Sequence, residues 1–445
     1  MALLYRILTA ASVLILAPYY AWRGWRRREP RQTLRDRFGF LSPQILERAN
    51  AASRENRPVW IHAVSVGEVL AAQPLLEGLR ARFPARPLYV STTTETGQRL
   101  ARERFSAAAD LFYFPLDWTT SVRRALRSLR PALIIIMETE IWPNFLRVAH
   151  EAGVAVIFAN ARISERSMAR FERWKFLVGD FFERILQWPA LFLAQTSEDA
   201  ARLASMGAPE ERVEVTGNLK YDSEPPPATP FLEWLAGQIK NQERWPVLVA
   251  GSVVAEEESH VLAAWDLVQR QWRHSLLILA PRKPDRFDAA AALCHEGGWN
   301  VVRRSQINLS LPLDDQADIL LLDSIGELAG LYSIAEAVFV GGSLVRSGGH
   351  NILEPAWYSK PPVFGPSMEN FQEMAGRFLS ARAGIQVDSG PMLGRVWIQL
   401  IEDAATRQRA GEAAKKIYLQ NRGAALRSLD RIAALLASGD EGECR

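Results

Sequence analysis

The chain has 445 residues, too many for one ordinary core, so two domains of roughly 200 residues each are expected. Apolar residues make up 48% and charged residues 23%, which excludes a disordered or fibrous chain, and a net charge of +3 argues against a dedicated nucleic-acid binder. The two cysteines, Cys294 and Cys444, stand far apart without metal-ligand spacing, so neither a disulfide framework nor a zinc site is expected and a reducing compartment fits.

Residues 1–22 read as a membrane anchor. From Leu3 to Trp22 the only charge is Arg6, near enough to the end to snorkel. The aromatics Tyr19, Tyr20, Trp22 and Trp25 then precede a basic block of Arg23, Arg26, Arg27 and Arg28, the pattern of an interfacial boundary. The positive-inside rule puts that block and the body after it on the cytoplasmic side. A cleaved signal peptide would carry its charge before the apolar run and a small-residue site after it, and neither is present. The segment is short for a span, so it either crosses the bilayer or lies in the interface.

Next come short apolar runs at 58–64, 88–91, 111–114, 132–137, 154–159 and 191–195, alternating with helical patterns. A second series lies at 247–251, 275–280, 299–302, 319–322, 337–340 and 362–364. Runs of this kind predict buried parallel strands with crossover helices. Between the series, Ser223-Glu-Pro-Pro-Pro-Ala-Thr-Pro230 can continue neither element and reads as a linker. The expected α/β organisation is a first Rossmann-like domain over 23–222, a linker region over 223–244, a second over 245–403 and a helical tail over 404–445. One helical stretch is unusual: Met168, Phe171, Trp174, Val178, Phe181 and Ile185 recur at helical spacing among Arg166, Arg170, Arg173, Lys175 and Arg184. It is either a core helix with a wide apolar face or a basic, aromatic surface that lies against anionic lipid.

Several strand ends carry candidate chemistry. Trp60-Ile-His-Ala-Val-Ser-Val-Gly-Glu68 is a strand running through a glycine turn into a helix. Glu68 thus sits either in the ligand crevice at the carboxyl edge of a parallel sheet or simply as a complement to the helix N-terminus. Ile134-Ile-Ile-Met-Glu138-Thr-Glu140-Ile-Trp-Pro-Asn144 ends a buried run with two carboxylates, costly unless solvated or paired; alternation would send both to one side if the strand continued. Asn160-Ala-Arg162-Ile-Ser164 offers donors to the same crevice. Lys220, in Gly217-Asn-Leu-Lys220-Tyr-Asp222, is either a point charge at the hinge or a solvated surface lysine.

In the second half, Pro281-Arg282-Lys283-Pro284-Asp285-Arg286 puts three cations around a rigid turn suited to a phosphate. Asp323-Ser-Ile-Gly326-Glu327-Leu328 again joins strand to helix. Gly341-Gly342-Ser343 and Gly348-Gly349-His350-Asn351-Ile352-Leu353-Glu354-Pro355 offer backbone N–H groups to an anion, with a helix start expected near Asn351 and Glu354 free to accept from ribose hydroxyls. There is no G-x-x-x-x-G-K-[ST] loop and no Asp-x-Asp at a strand end, so neither a P-loop ATPase nor a metal-diphosphate donor is expected.

These blocks resemble, in order, the signatures of bacterial 3-deoxy-D-manno-octulosonic acid (Kdo) transferases. They are His62-Ala-Val-Ser-Val-Gly-Glu68, Ser91-Thr-Thr-Thr-Glu-Thr-Gly97, Pro115-Leu-Asp117, Glu138-Thr-Glu-Ile-Trp-Pro-Asn144, Asn160-Ala-Arg-Ile-Ser164, Gly326-Glu-Leu328 and Gly349-His-Asn-Ile-Leu-Glu-Pro355. The resemblance implies a GT-B fold, two Rossmann-like domains with an interdomain cleft, acceptor on the first and nucleotide on the second. It implies an inverting glycosyltransferase that moves Kdo from CMP-Kdo to a lipid A precursor (lipid IVA) in lipopolysaccharide biosynthesis, at the cytoplasmic face of the inner membrane, with no cofactor, no metal and no nucleic acid.

By the same resemblance Glu68 matches the general base, and Glu138 and Lys220 match positions that stabilise the transition state. CMP contacts fall on Pro281, Arg282, Gly326, Glu327, Leu328, Asn351, Ile352, Leu353 and Glu354. Arg162 is a candidate partner for the Kdo carboxylate. Two rivals are another GT-B enzyme, such as a nucleotide-sugar epimerase, and a non-catalytic membrane-tethered nucleotide binder. The intact blocks around Glu68, Glu138 and 348–355 argue against both.

Overall fold

The computed structural model describes residues 31–442 except Arg54; the anchor expected over 1–22 and Cys444 lie outside the described residues. The described chain up to Ser223, together with the residues from Asn421 onward, forms one compact unit, and Glu224–Gln420 forms a second.

The first unit is built on a parallel sheet of β1 (Val59–His62), β2 (Leu88–Thr92), β3 (Asp110–Tyr113), β4 (Leu133–Met137), β5 (Ala155–Ala161), β6 (Leu191–Ala194) and β7 (Val213–Val215). Their order is β3-β2-β1-β4-β5-β6-β7, so the order reverses between β1 and β4, where Ile61 pairs with Ile135 and His62 with Ile136. β1, β2, β4 and β6 are buried along their whole length, because helices cover both faces. Trp60, Phe112, Phe145 and Phe158 fill one layer, and Val59, Ile61, Leu76, Ile135 and Leu193 fill the other.

The second unit repeats the plan with β8 (Val247–Val253), β9 (Leu276–Pro281), β10 (Val301–Arg303), β11 (Ile319–Leu321), β12 (Ala337–Val340), β13 (Pro362–Phe364) and β14 (Ile385–Gln386). The order is β10-β11-β9-β8-β12-β13-β14, all parallel, with the reversal between β8 and β12. Both units are therefore Rossmann-like α/β layers, as the apolar runs predict.

Three local expectations differ from the structure. The linker region contains a helix, Pro230–Asn241, with Thr229 as N-cap and Pro230 in its first turn, and Phe231 and Leu235 anchor it in the second unit's core. The tail divides at residue 420: the helix Ala404–Gln420 stays with the second unit, whereas the helix Ala424–Gly442 returns to the first. There Ala424, Leu429, Ile432 and Leu436 enter the core, and Asp222 accepts from Gly423 N at 2.5 Å and Ala425 N at 2.6 Å. The helix expected near Asn351 begins at Leu353 and has only five residues, Leu353–Trp357.

The stretch with unusual composition forms the helix Glu165–Leu186. Phe171 and Ile185 are buried, and Met168, Val178, Phe181 and Phe182 pack against the core. Trp174, Phe176 and Leu177 are exposed, Phe176 to 81%. Among the described residues no helix is long and apolar enough to cross a membrane.

Candidate active site

In the first unit the site begins where β1 ends. Ser65 caps the helix Val66–Arg82, and Glu68 occupies its first turn. The carboxylate folds back on its own entry turn: Val64 N donates to Oε2 and Ser65 Oγ to Oε1, both at 2.8 Å. This is a variant of the capping box, so Glu68 does complement its helix, as one sequence reading has it. The side chain is only 6% exposed. Burial, reinforced by the charges of Glu138 and, more weakly, Glu140, pushes its carboxyl up to about 7 against the two hydrogen bonds that lower it. A helix-capping carboxylate alone would be driven the other way.

Glu138 follows β4, directly across the switch point from β1. Its φ of +54° turns the chain out of the strand, so the alternation expected to bring Glu138 and Glu140 to one side does not apply. Lys220 Nζ lies 3.5 Å from Glu138 Oε1, with both side chains partly buried. Lys220 is therefore not a solvated surface lysine. Burial first, and the Glu138 charge second, raise the Glu140 carboxyl as well. The structure thus brings Glu68, Glu138 and Lys220 into one electrostatic group at the position where open α/β sheets form their crevice.

Hydrogen bonds between loops hold this edge together. Thr94 donates from its N–H and hydroxyl to Val64 O, tying the block at 91–97 to that at 62–68. Asp117 accepts from Phe145 N at 2.7 Å and Asn144 N at 3.2 Å, capping the helix Pro143–Glu151. Thr139 Oγ1 donates to Arg162 O at 2.6 Å and accepts from Arg162 N at 2.9 Å. His62 stacks on Phe114 with centroids 3.7 Å apart and sets Nδ1 3.1 Å from Ser91 O; burial pushes its pKa down to about 3, so the ring is neutral.

Asn160, at φ +57°, does something composition did not suggest: its fully buried side chain accepts Leu219 N on Oδ1 at 2.9 Å. Asn218 in turn accepts Lys220 N at 3.0 Å and donates to Gln195, so the turn that carries Lys220 is fixed from two sides. A cavity of 650 Å³ opens at the other, amino-terminal edge of this sheet; its lining includes Arg48 and Asp110, which pair at 2.8 Å.

In the second unit Arg282 and Lys283 follow β9 and line a cavity of 510 Å³ with Val253, Glu256, Asp285 and Arg346. Arg286, counted among three cations by the sequence, points its charge into the buried carboxylate of Glu258 at 2.5 Å. Arg346 adds a further cation to the lining of the cavity, and nothing in its local sequence marked it. The Arg282 charge opposes the upward shift of Glu354, whose carboxyl burial pushes to about 7 and to which Asn351 Nδ2 donates at 3.4 Å. Ile352 and Leu353 are fully buried, so neither presents a side chain to solvent; Pro281 closes β9. Glu327 is held by Arg304 through two bonds of 3.0 and 2.9 Å and by the Ser324 hydroxyl; in that turn Ile325 and Gly326 (φ +94°) are exposed, whereas Glu327 and Leu328 are half-buried. Among the described residues no group of His, Cys, Asp or Glu is arranged to hold a metal ion.

Comparison with known proteins agrees with this architecture. The family model for 3-deoxy-D-manno-octulosonic-acid transferases matches residues 32–223. The chain is 32% identical to the 3-deoxy-D-manno-octulosonic acid transferase of Haemophilus influenzae over 90% of this chain and 91% of the relative. It is 33% identical to that of Bordetella pertussis over 84% and 86% of the two chains. Among solved structures, UDP-GlcNAc 2-epimerase from Neisseria meningitidis covers 82% of this chain and 99% of its own at a TM-score of 0.51 and 14% identity, a likeness of fold alone. Anabaena HepE in complex with UDP is similar in the same sense, at a TM-score of 0.55 and 13% identity over 86% and 100% of the two chains. The chain belongs to the 3-deoxy-D-manno-octulosonic acid transferase family and is a glycosyltransferase.

Proposed function

We propose that the protein transfers Kdo from CMP-Kdo to a hydroxyl of a lipid A precursor, lipid IVA, with inversion at the anomeric carbon, and that Glu68 is the general base. The observation that carries this reading is the group formed by Glu68, Glu138 and Lys220: a buried carboxyl brought to about 7 beside an ion pair of 3.5 Å. A base with a pKa near the working pH combines a useful fraction of ionised form with driving force for proton transfer.

Glu68 takes the acceptor hydroxyl proton as that oxygen bonds to the anomeric carbon of Kdo. The bond from that carbon to the phosphate oxygen breaks, and its electron pair leaves with CMP. One displacement inverts the centre, so no covalent enzyme intermediate forms. Lys220, beside Glu138, supplies positive charge to the transition state, and Arg282 supplies it to the phosphate of the donor. On the second unit Pro281, Arg282, the turn of Gly326, Glu327 and Leu328, and Asn351 through Glu354 hold CMP, with Glu354 accepting from a ribose hydroxyl. The relatives named for Kdo transfer support the donor.

The same reading puts the enzyme at the cytoplasmic face of a bacterial inner membrane, held by residues 1–22 and by the helix Glu165–Leu186. Support for the second contact is the exposure of Trp174, Phe176 and Leu177 beside exposed Arg170, Arg173 and Lys175. The test is transfer from CMP-Kdo, generated in situ, to tetra-acylated lipid A precursor, read by mass spectrometry for wild type and Glu68→Gln. Product gained in Kdo units and lost in the variant supports the reading. No product from a folded wild type that binds CMP would sink it.

A further inference from the structure

The turn after β12 faces a carboxylate that the donor reading does not use. Glu257 is 0% exposed and sits at the N-cap of the helix Glu258–Gln269, just after β8. β8 and β12 are the strands at which the second sheet reverses its order, the place where open α/β folds hold a ligand's anion. Here the anion is the protein's own. Oε1 accepts from Ser343 N and Leu344 N, both at 2.7 Å; Oε2 accepts from Gly342 N at 2.6 Å and Val254 N at 3.2 Å. Four donors saturate the lone-pair sites of one carboxylate. A Cβ on Gly341 would lie 2.9 Å from Glu257 Oε2 and 2.7 Å from Ser252 O, so the glycine there serves the approach of this internal carboxylate.

The nest is one hydrogen bond from the donor block. Gly342 O accepts Gly349 N at 2.7 Å, and Ser343 O accepts Ser367 N at 2.8 Å, whose hydroxyl accepts Gly348 N at 3.0 Å. Gly348 and Gly349, at φ +86° and +75°, lead straight into His350 and Asn351, and the His350 ring lies against Gly342.

We infer that Glu257 is a positioning residue for the nucleotide donor, an internal anion that sets the backbone of 342–344 and through it the loop 348–354. The inference rests on the donor reading above. It also means that the N–H groups of the glycine pair are not open to the donor's phosphate, which is met by side-chain cations such as Arg282 and Lys283.

Two measurements on the full chain test it. In the wild-type protein, the amides of Gly342, Ser343 and Leu344 are protected from hydrogen exchange without nucleotide and gain no further protection from CMP. Fast exchange that slows only on adding CMP would overturn the inference, because those donors would then belong to the ligand. Glu257→Gln turns one acceptor into a donor facing N–H groups; it should weaken CMP binding and raise KM for CMP-Kdo by about 10- to 100-fold. At saturating donor its kcat should change far less than its KM. A folded variant that binds CMP as wild type does would also overturn the inference. If the variant does not fold, the exchange measurement decides alone. Wild type that fails to bind CMP at all would instead sink the donor reading.

Discussion

The Nζ of Lys220 stands 3.5 Å from Oε1 of Glu138, and the charge of Glu138 is in turn the largest neighbouring charge acting on Glu68. The three side chains are thus coupled in series. Removing either end of the ion pair should move the Glu68 titration in opposite directions. Glu138→Gln takes away a negative neighbour, so the alkaline rise of kcat/KM should shift to lower pH. Lys220→Met leaves Glu138 uncompensated, so the rise should shift to higher pH. Shifts of roughly half a unit to one unit are expected for partly buried charges at this range. Both variants should also lose maximal rate, Lys220→Met by about 10²–10³-fold as for the loss of one transition-state donor. The pH profile of kcat/KM checks the pair, because a merely structural ion pair would lower the rate without moving the titration.

Glu68 carries a second consequence, in stability. Its folded pKa of about 7 lies above its unfolded value of 4.5. A raised carboxyl pKa means that the folded state binds the proton more tightly, so the stability it confers is full below 4.5 and is lost as pH rises through 7. The loss is on the order of 3 kcal/mol. Glu68→Gln removes the titration and keeps a neutral polar group in the same turn. Its Tm should be close to wild type at pH ~4.5 and clearly higher at pH ~8, while turnover falls by about 10²–10⁴-fold at the higher pH. Thermal unfolding of the two proteins across that range, with the transfer assay alongside, tests both halves.

The two Rossmann-like layers were legible because the central parallel strands, β1, β2, β4 and β6 in the first unit and β9, β11, β12 and β13 in the second, are buried along their whole length and so read as unbroken apolar runs. β7 and β14 were not, since Val213-Glu-Val215 and Ile385-Gln386 are short, part-exposed edge strands with no such run. Glu68 was legible as chemistry and as a cap at once: Ser65 three residues before it is the capping-box signal, and the structure gives that serine to Glu68 Oε1. Glu257 was not legible. In the sequence it is one of three consecutive glutamates, the pattern of a solvated run, and three of its four partners lie 85 to 87 residues further on. The same holds for Arg286, whose partner Glu258 comes from another strand–helix unit. Charges near strand ends can be found by pattern, whereas which of them are consumed internally depends on topology.

Asn160 tests how rigidly Lys220 must be held. Its φ of +57° suits asparagine or glycine better than other residues, and its Oδ1 satisfies the buried Leu219 N–H. Asn160→Ala loses both, leaving that N–H without a partner, which costs roughly 1–3 kcal/mol. Asn160→Gly loses only the hydrogen bond, since glycine adopts the backbone angle freely. Both variants should show reduced transfer activity of similar size, because both release the Lys220 turn, while Asn160→Ala should be the less stable in denaturant titration. Full activity in Asn160→Gly would mean that Asn218 alone fixes the lysine.

The helix Glu165–Leu186 separates packing from surface on one element, which makes its exposed stretch testable without disturbing the fold. Phe171 and Ile185 are buried, so changing them would disturb the core; Trp174, Phe176 and Leu177 are exposed. Phe176 is 81% exposed and Trp174 and Leu177 are each 50% exposed, so they have few contacts to lose in the folded chain, and burial in a lipid interface would contribute about 25 cal/mol per Å² of apolar area covered. The basic neighbours would add about 1 kcal/mol each near an anionic surface and lose it in salt. The triple variant Trp174→Ser, Phe176→Ser, Leu177→Ser should therefore stay folded, with a Tm lowered only slightly, and keep the wild-type CMP affinity. It should bind anionic vesicles at least about tenfold more weakly in flotation assays, and its KM for vesicle-borne lipid A precursor should rise more than its KM for CMP-Kdo. Salt should weaken the wild type toward the variant if the arginines act as proposed. Equal flotation of the two proteins, with their 1–22 segments intact, would show that this helix face contributes nothing to lipid contact.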